Sequence, residues 1–288
     1  MSLPITRREA VASIAGAVLL GANASSSIAA SPALGARPSG IHHSVCKWCY
    51  KDIPLEELAS AAKGLGLESI ELLDPSDFPL LKKYGLTCAM ANGVSTIREG
   101  FNRREHHDRL VEGFIRRIQE CADAGVPNVI CFSGSRKGQA DEEGLEICAE
   151  GLKKIMSKAE KSGVNVVMEL LNSRVNHPDY QCDHTAWGVE LCKRVGSERF
   201  KLLYDIYHMQ IMEGDVIRTI QTHHQYIAHY HTGGNPGRNE IDETQELYYP
   251  AIMRAIKATG FNGFVAQEFI PKRSPLKSLA EGIKICTV

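Results

Sequence analysis

Short apolar runs alternate with longer amphipathic segments along the chain, from about residue 41 to its end. Apolar or β-branched runs of this length predict buried strands. The eight predicted strands are Ile41–Cys46, Ser69–Leu73, Thr87–Asn92, Asn128–Ser133, Asn165–Leu170, Lys201–Ile206, Ile227–His231 and Gly263–Phe269. The charge-bearing segments between them predict helices over Leu55–Lys63, Arg104–Ala124, Glu142–Lys161, Thr185–Arg194, Asp215–Gln221, Pro250–Thr259 and Leu276–Ile285. Glycines predicted to cap helix ends are Gly64, Gly125, Gly163, Gly196 and Gly260.

The regular alternation of strand and helix indicates an α/β protein with a parallel sheet and right-handed crossovers. Eight such units over about 250 residues predict a (β/α)8 TIM barrel, formed as a single domain by residues 37–288. A doubly wound open sheet is the alternative, because the second unit, Pro75–Gly85, leaves room for only about two helical turns. No Gly-rich phosphate loop follows the first strand, which disfavours that alternative.

The composition narrows the classes of function. Of 288 residues, 43% are hydrophobic and 23% are charged, which excludes a disordered or fibrous chain. With 33 Lys and Arg against 34 Asp and Glu, the net charge is -1, and no overall field favours binding to nucleic acid. No apolar run after the N-terminal segment is long enough for a transmembrane helix.

The first 36 residues differ from the rest and predict a signal peptide with a linker. Arg7 and Arg8 precede a modest apolar stretch, Ala10–Leu20, and small residues follow with cleavage candidates between Ala24 and Ala36. This order is typical of a twin-arginine signal, so we expect export, to the periplasm. The alternative is an N-terminal tail with a chance arginine pair.

Nine cysteines are scattered through the predicted strands and helices, an odd number that does not indicate a disulfide framework. Cys46 and Cys49 have C-x-x-C spacing, but no second pair completes a zinc site. Simple packing is therefore preferred over thiol chemistry.

Four ionisable residues lie at the carboxyl ends of consecutive predicted strands. They are Glu169, Asp205, His231 and Glu268, and their separations of 36, 26 and 37 residues each correspond to about one β/α unit. In a parallel barrel these strand ends form the active-site face. The four side chains should therefore lie together in the barrel mouth.

Three carboxylates buried beside one imidazole would repel one another unless a cation compensates them. One divalent ion is the simplest compensation, and this ligand set favours Mn²⁺, Mg²⁺ or Co²⁺, with Zn²⁺ also compatible. The alternative is that each acid pairs with a Lys or Arg or caps a helix. Because all four residues lie at the same height on consecutive predicted strands, a shared metal ion is favoured over separate ion pairs or helix caps.

The sequence from Asn165 to Pro271 resembles the xylose isomerase-like barrel superfamily, and within it the hydroxypyruvate isomerase and sugar epimerase group. The resemblance is carried by Glu-Leu-Leu-Asn, Asp-Ile-Tyr-His, Pro-Gly-Arg-Asn-Glu and Gln-Glu-Phe-Ile-Pro, and earlier by Ile-Glu-Leu-Leu-Asp-Pro and Cys-Phe-Ser-Gly. It implies that Glu169, Asp205, His231 and Glu268 are metal ligands, and that the two glutamates also exchange protons with the substrate. It further implies substrate-binding positions at His208 and Arg238.

Four further residues are candidate walls of the substrate pocket because they lie within or just after predicted strands: Lys47, Trp48, Glu71 and Arg136. The resemblance also bears on the substrate. The isomerase group commonly has glutamine where this chain has His231, whereas the epimerase branch has histidine. That difference favours a sugar or polyol over hydroxypyruvate itself.

The resulting hypothesis is an isomerase or epimerase of a small sugar or hydroxy-keto acid, working by proton transfer through a metal-stabilised enediolate with Glu169 and Glu268 as the acid/base pair. A hydride shift fits the same ligands. Three alternatives stay open: a lyase or dehydratase of a keto sugar, an AP-endonuclease-like phosphodiesterase, and a non-catalytic sugar-binding barrel. The sequence leaves open whether the chain forms a homo-oligomer.

Overall fold

A computed structural model describes residues 40–288, and the predicted signal segment at residues 1–36 lies outside them, where it stays a prediction. Within the described residues, seven strands form one parallel sheet in the order β2-β1-β7-β6-β5-β4-β3. The strands are β1 (His42–Cys46), β2 (Ser69–Glu71), β3 (Asn128–Cys131), β4 (Asn165–Glu169), β5 (Phe200–Asp205), β6 (Ile227–Thr232) and β7 (Phe264–Gln267). The predicted parallel TIM-barrel fold is confirmed, with seven regular strands among the described residues where eight were predicted.

The extended segment 87–92, predicted as the third strand, is irregular. It makes single parallel bridges to β2 at Thr87 and to β3 at Ala91, and Asn92 N also donates to Leu73 O at 2.9 Å. Between the bridges, Ala89 bonds to side chains instead of strands: its N–H donates to Ser69 Oγ and its carbonyl accepts from Asn128 Nδ2, both at 2.8 Å. These bonds interrupt the ladder while the segment still links β2 to β3.

Nine α-helices connect the described strands. They are α1 (Leu55–Gly64), α2 (Phe78–Lys83), α3 (His107–Ala124), α4 (Asp141–Ser162), α5 (Thr185–Val195), α6 (Ile206–Met212), α7 (Val216–His223), α8 (Tyr249–Ala258) and α9 (Pro275–Cys286). All seven predicted helices are present within a few residues of their predicted ends. The short second unit contains α2, and α6 was not predicted because its residues follow β5 without a break.

The predicted glycine caps are largely confirmed. Gly125, Gly163 and Gly196 adopt the left-handed backbone conformation at the ends of α3, α4 and α5, and Gly260 does so just after α8. The prediction for Gly64 was wrong: Gly64 is the last helical residue of α1, and the left-handed residue is Gly66, with φ of 81°. The turn after α1 is therefore two residues longer than predicted.

The alternation of side chains along the strands determines which residues face the barrel interior. Met90, Ile130, Val167 and Leu203 pack together as a small inner cluster, whereas Val166, Met168, Leu202 and Tyr204 belong to the larger core shared with the helices. Residues two apart on a strand point to the same face. Val167 therefore places Glu169 inside the barrel at the end of β4, and Leu203 places Asp205 inside at the end of β5.

Candidate metal and substrate site

The four predicted ligands meet at the carboxyl end of the barrel. Glu169, Asp205, His231 and Glu268 each offer one ligand atom, these atoms all lie within 4.8 Å of one another, and all four residues are buried. Asp205 is paired with His231 in the β5–β6 register, and Glu268 follows β7 directly. The structure therefore brings together the residues that the strand spacing selected.

The hydrogen bonds of this cluster leave one carboxylate oxygen without compensation. His231 Nδ1 lies 2.7 Å from Glu268 Oε2 and 3.5 Å from Glu169 Oε1. Among the described residues, Glu169 Oε1 is buried and has no hydrogen-bond partner. A buried acceptor without a donor is costly, and a carboxylate oxygen in this position suits a cation.

Arg238 provides part of the missing positive charge. Its Nη2 donates to Asp205 Oδ2 at 3.2 Å and also to Glu268 Oε2. Asp205 in addition caps α6, because its Oδ1 accepts from the backbone N–H of His208 at 3.0 Å. Ion pairing and helix capping, the alternative to a metal, thus satisfy Asp205 and Glu268 but not Glu169. One guanidinium against three buried carboxylates leaves the ligand set suited to a divalent cation.

The neighbouring charges move the pKa values of the carboxyl groups apart. Burial alone would raise the pKa of Glu268, but Arg238 and His231 hold it well below its usual range. Burial raises the pKa of Glu169 despite its contact with His231, and burial raises the pKa of Asp205 to about 8 against the opposing charge of Arg238. Two carboxyl groups with opposite shifts in one site are typical of an acid/base pair.

A cavity of about 540 Å³ opens above the cluster. Its floor includes Glu169, Glu268 and Arg238, which reach it from three different segments. Trp48 forms one wall, is 41% exposed, and donates from its indole Nε1 to Glu268 Oε1 at 2.8 Å. Its ring lies 5.1 Å from the Arg238 guanidinium carbon, close enough for a cation–π contact. Asp205 and His231 lie behind this floor, fully buried.

Three of the predicted pocket residues lie elsewhere. Lys47 is not part of the cavity lining, because β1 runs directly into a 3₁₀ turn in which its Nζ donates to Tyr50 O at 3.1 Å. Arg136 is bound to Asp183, with Nη2 to Oδ1 at 2.8 Å, and joins the loops after β3 and β4. Glu71 is fully buried beneath the cluster, where its Oε1 accepts from His229 and His231. The structure gives no support for contact between these three and a ligand in the cavity.

His208 lies beside the cluster rather than in the cavity wall. It is fully buried, its Nε2 is 3.7 Å from Asp205 Oδ2, and its Nδ1 is 2.6 Å from Asn172 Nδ2. An amide nitrogen can only donate, so Nδ1 is the acceptor and Nε2 carries the proton. Among the described residues that Nε2 has no hydrogen-bond partner, and a donor near Asp205 is therefore available.

Sequence reasoning missed most of the cavity wall. The remaining lining residues are Leu72, Asp74, Asn92, Gly93, Ser95, Ile97, Ile130, Phe132, Leu171 and His177. Most follow a strand by one to five residues, so their place in the loops at the strand ends was a usable signal. The five apolar residues among them, Leu72, Ile97, Ile130, Phe132 and Leu171, have the pattern of core residues and were not recognised.

The described residues hold three groups that could bind a metal ion, and every one of them includes His231. Besides the four-residue cluster, they are Cys46 with His231 and Glu268, and Glu71 with His229 and His231. All nine cysteines are free, and burial raises the pKa of the Cys46 thiol well above its usual value. Cys46 is therefore a neutral thiol and a poor ligand.

The model of one protein family, the xylose isomerase-like TIM barrel, matches residues 52–286. The chain belongs to the xylose isomerase-like TIM barrel family. This match covers all strands after β1 and confirms the resemblance seen in the strand-end motifs.

Two relatives within this family carry the names of isomerases. A Homo sapiens protein provisionally named hydroxypyruvate isomerase is 24% identical over 247 residues, which are 84% of each chain. The 2-oxo-tetronate isomerase of Cupriavidus necator is 28% identical over 230 residues, covering 76% of this chain and 87% of that protein.

Solved structures of two other proteins share the fold. An AP endonuclease of family 2 from Brucella melitensis superposes with a TM-score of 0.77 at 24% identity, covering 85% of this chain and 98% of the other. The 3-keto-D-glucoside 4-epimerase of E. coli superposes with a TM-score of 0.70 at 16% identity, with the same coverage. At these identities the likeness establishes the barrel and not the reaction.

Proposed function

We propose that this chain is a divalent-metal-dependent isomerase or epimerase of a small sugar or hydroxy-keto acid. The observation that carries the proposal is the pair of buried carboxylates, Glu169 and Glu268, on the floor of a cavity of about 540 Å³, a volume in the usual range of small-molecule sites. They come from β4 and the end of β7, with β5 and β6 between them in the sheet. The names of the two relatives, a hydroxypyruvate isomerase and a 2-oxo-tetronate isomerase, support the substrate class.

The chemistry requires that a carbon-bound proton beside a carbonyl is removed and then returned. Glu169 and Glu268 both line the cavity, so one carboxylate can accept the proton and the other can return it. A divalent ion held by Glu169, Asp205, His231 and Glu268 would supply positive charge for the substrate oxygens.

The other residues of the site bind and enclose the substrate. Arg238 can donate to a substrate hydroxyl or carboxylate, and its contact with Trp48 fixes its position. Leu72, Phe132 and Leu171 form an apolar part of the cavity wall. This wall, with two aimed carboxylates beneath it, favours catalysis over a non-catalytic sugar-binding barrel.

A three-metal nuclease site receives less support from the described residues. Among the described residues each candidate metal group includes His231, which favours one centre over several separate ones. At the mouth, Asn92 and Asp74 occupy positions after segment 87–92 and β2 and bond to each other at 3.4 Å. The fold shared with an AP endonuclease does not by itself imply that nuclease's chemistry.

The direct test is turnover in D₂O with a panel of keto sugars, aldoses, 3-keto glycosides and hydroxypyruvate, followed by NMR. We expect solvent deuterium at the carbon beside the carbonyl of the substrate that turns over. Glu169→Gln and Glu268→Gln should each lower kcat by a factor of about 10² to 10⁴. The control is Glu198→Gln, an exposed glutamate paired with Lys201.

The outcomes separate the alternatives. An epimer or isomer without deuterium would contradict proton exchange with solvent and indicate a hydride shift. A product that has lost a β-substituent would indicate a lyase or dehydratase. Full activity of either glutamine variant would refute the paired acid/base scheme.

A further inference from the structure

Glu71 lies one layer below the proposed metal ligands, at the end of β2. Its side chain is fully buried and does not reach the cavity. A carboxylate in such a place is costly unless strong donors surround it. Its closest donors are two histidines of β6, His229 and His231, and the Cys46 thiol is a weaker donor at 3.9 Å.

The His231 ring is bonded on both sides. Nδ1 faces Glu268 Oε2 at 2.7 Å and Glu169 Oε1 at 3.5 Å, whereas Nε2 lies 2.9 Å from Glu71 Oε1. The nitrogen turned towards the other proposed ligands is therefore Nδ1. An imidazole binds a cation through an unprotonated nitrogen, so the proton must stay on Nε2, and Glu71 is the acceptor placed there.

The position of Glu71 is itself fixed by His229. His229 Nε2 donates to the same oxygen, Glu71 Oε1, at 2.8 Å. The rings of His229 and His231 are nearly perpendicular, at 83°, with centroids 5.2 Å apart. Their separation by two residues on β6 turns both rings to the same face, so one carboxylate oxygen receives both N–H groups. The other nearby group, the Cys46 thiol, is 3.7 Å from His231 Nε2 and is a weak donor.

We propose that Glu71 is a positioning residue that holds His231 with its Nδ1 towards the metal site, and that His229 holds Glu71 in turn. The inference rests on the proposed function, since it concerns the same metal site. It assigns to Glu71 an indirect role, in place of the contact with substrate that its position on the strand suggested. It also explains why Glu71 and His229 are buried in the barrel interior without lining the cavity.

The test measures metal affinity directly. The full chain, freed of metal with a chelator, is titrated with Co²⁺ and followed by visible absorption, and with Mn²⁺ by calorimetry. Glu71→Leu removes the acceptor and should raise the Kd of Co²⁺ about 10- to 100-fold, the usual effect of losing such a partner. Glu71→Gln keeps a neutral acceptor oxygen and should restore most of the affinity, with a Kd within about tenfold of the wild type.

The matched control is Ser69→Ala. It removes a buried hydrogen-bonding group two residues away on the same strand and should leave the Kd of Co²⁺ unchanged. If Glu71→Leu does not fold, the test rests on Glu71→Gln. Its Kd for Co²⁺ should then be measurably higher than that of Ser69→Ala. Equal Kd values in the wild type and both Glu71 variants would overturn the inference. A wild-type protein that binds no Co²⁺ or Mn²⁺ would instead refute the proposed function.

Discussion

The guanidinium of Arg238 lies between two carboxylates and two aromatic rings. It bonds to Asp205 and Glu268, and its carbon is 5.1 Å from the ring of Trp48 and 5.5 Å from that of Tyr207. A planar, delocalised cation can satisfy all four neighbours, whereas the point charge of lysine cannot. The sequence identified Arg238 as a site residue by family resemblance alone, because its loop offers no periodic signal.

We expect Arg238→Lys to lower kcat/KM by about 10- to 100-fold, since a hydrogen bond to a charged group contributes about 1.5–3 kcal/mol. Steady-state kinetics on the substrate identified by deuterium incorporation would measure this. Arg218→Lys is the matched control, because Arg218 pairs with Asp215 at the surface and does not line the cavity. Equal losses in both variants would contradict a role of Arg238 in substrate binding.

Glu71 and Lys47 show where residue-level prediction fails. Strand alternation correctly gives the inward face of Glu71 but not its depth, which depends on two histidines about 160 residues away. The prediction for Lys47 assumed that the chain stays extended after β1, but the backbone turns at once into a 3₁₀ helix. Contacts distant in sequence and the first turn after a strand are both outside what periodicity can specify.

At the level of elements, the ion pair of Arg136 and Asp183 joins the loops after β3 and β4, together with backbone hydrogen bonds between them. Arg136 donates to both oxygens of Asp183, at 2.8 and 3.1 Å, and Ser173 Oγ also donates to Asp183. Burial would raise the pKa of Asp183, but the bonds from Arg136 and Ser173 lower it below its usual value. These two loops support Phe132 and Leu171, which line the cavity.

This ion pair predicts a pH-dependent contribution to stability. Because the folded-state pKa of Asp183 lies below the unfolded value of about 3.9, its contribution is complete above that pH and is lost as the pH falls through the folded pKa. Asp183→Asn should therefore lower the free energy of unfolding by about 1–2 kcal/mol at pH 7. Urea denaturation should show the wild type and variant converging at pH 3 and below. A constant difference from pH 7 to pH 3 would contradict this account.

The ends of helices and strands can be predicted from the sequence where a residue strongly prefers one backbone conformation. The left-handed glycines after α3, α4 and α5 are such positions. The segment 87–92 and α6 could not be predicted in the same way. Side chains from neighbouring strands interrupt the first, and α6 starts at once because Asp205 both ends β5 and caps the helix.

At the level of the whole molecule, the barrel and its mouth were predictable because the same unit recurs. Each unit places the carboxyl end of its strand at the same face of the barrel. Ionisable residues that recur at about 33-residue intervals therefore lie close together at that face. The cavity wall was not predictable, because apolar loop residues resemble core residues. Among the described residues, no helix is both long and apolar enough to span a membrane.

The central claim is that Glu169, Asp205, His231 and Glu268 together hold one divalent cation. Metal analysis by mass spectrometry, on protein purified without chelator, tests it most directly, with Asp205→Asn and Arg136→Lys purified in parallel. We predict about one divalent ion per chain in the wild type and in Arg136→Lys, and a much lower content in Asp205→Asn. Absence of metal from the wild type, or equal metal content in a folded Asp205→Asn variant, would contradict the account.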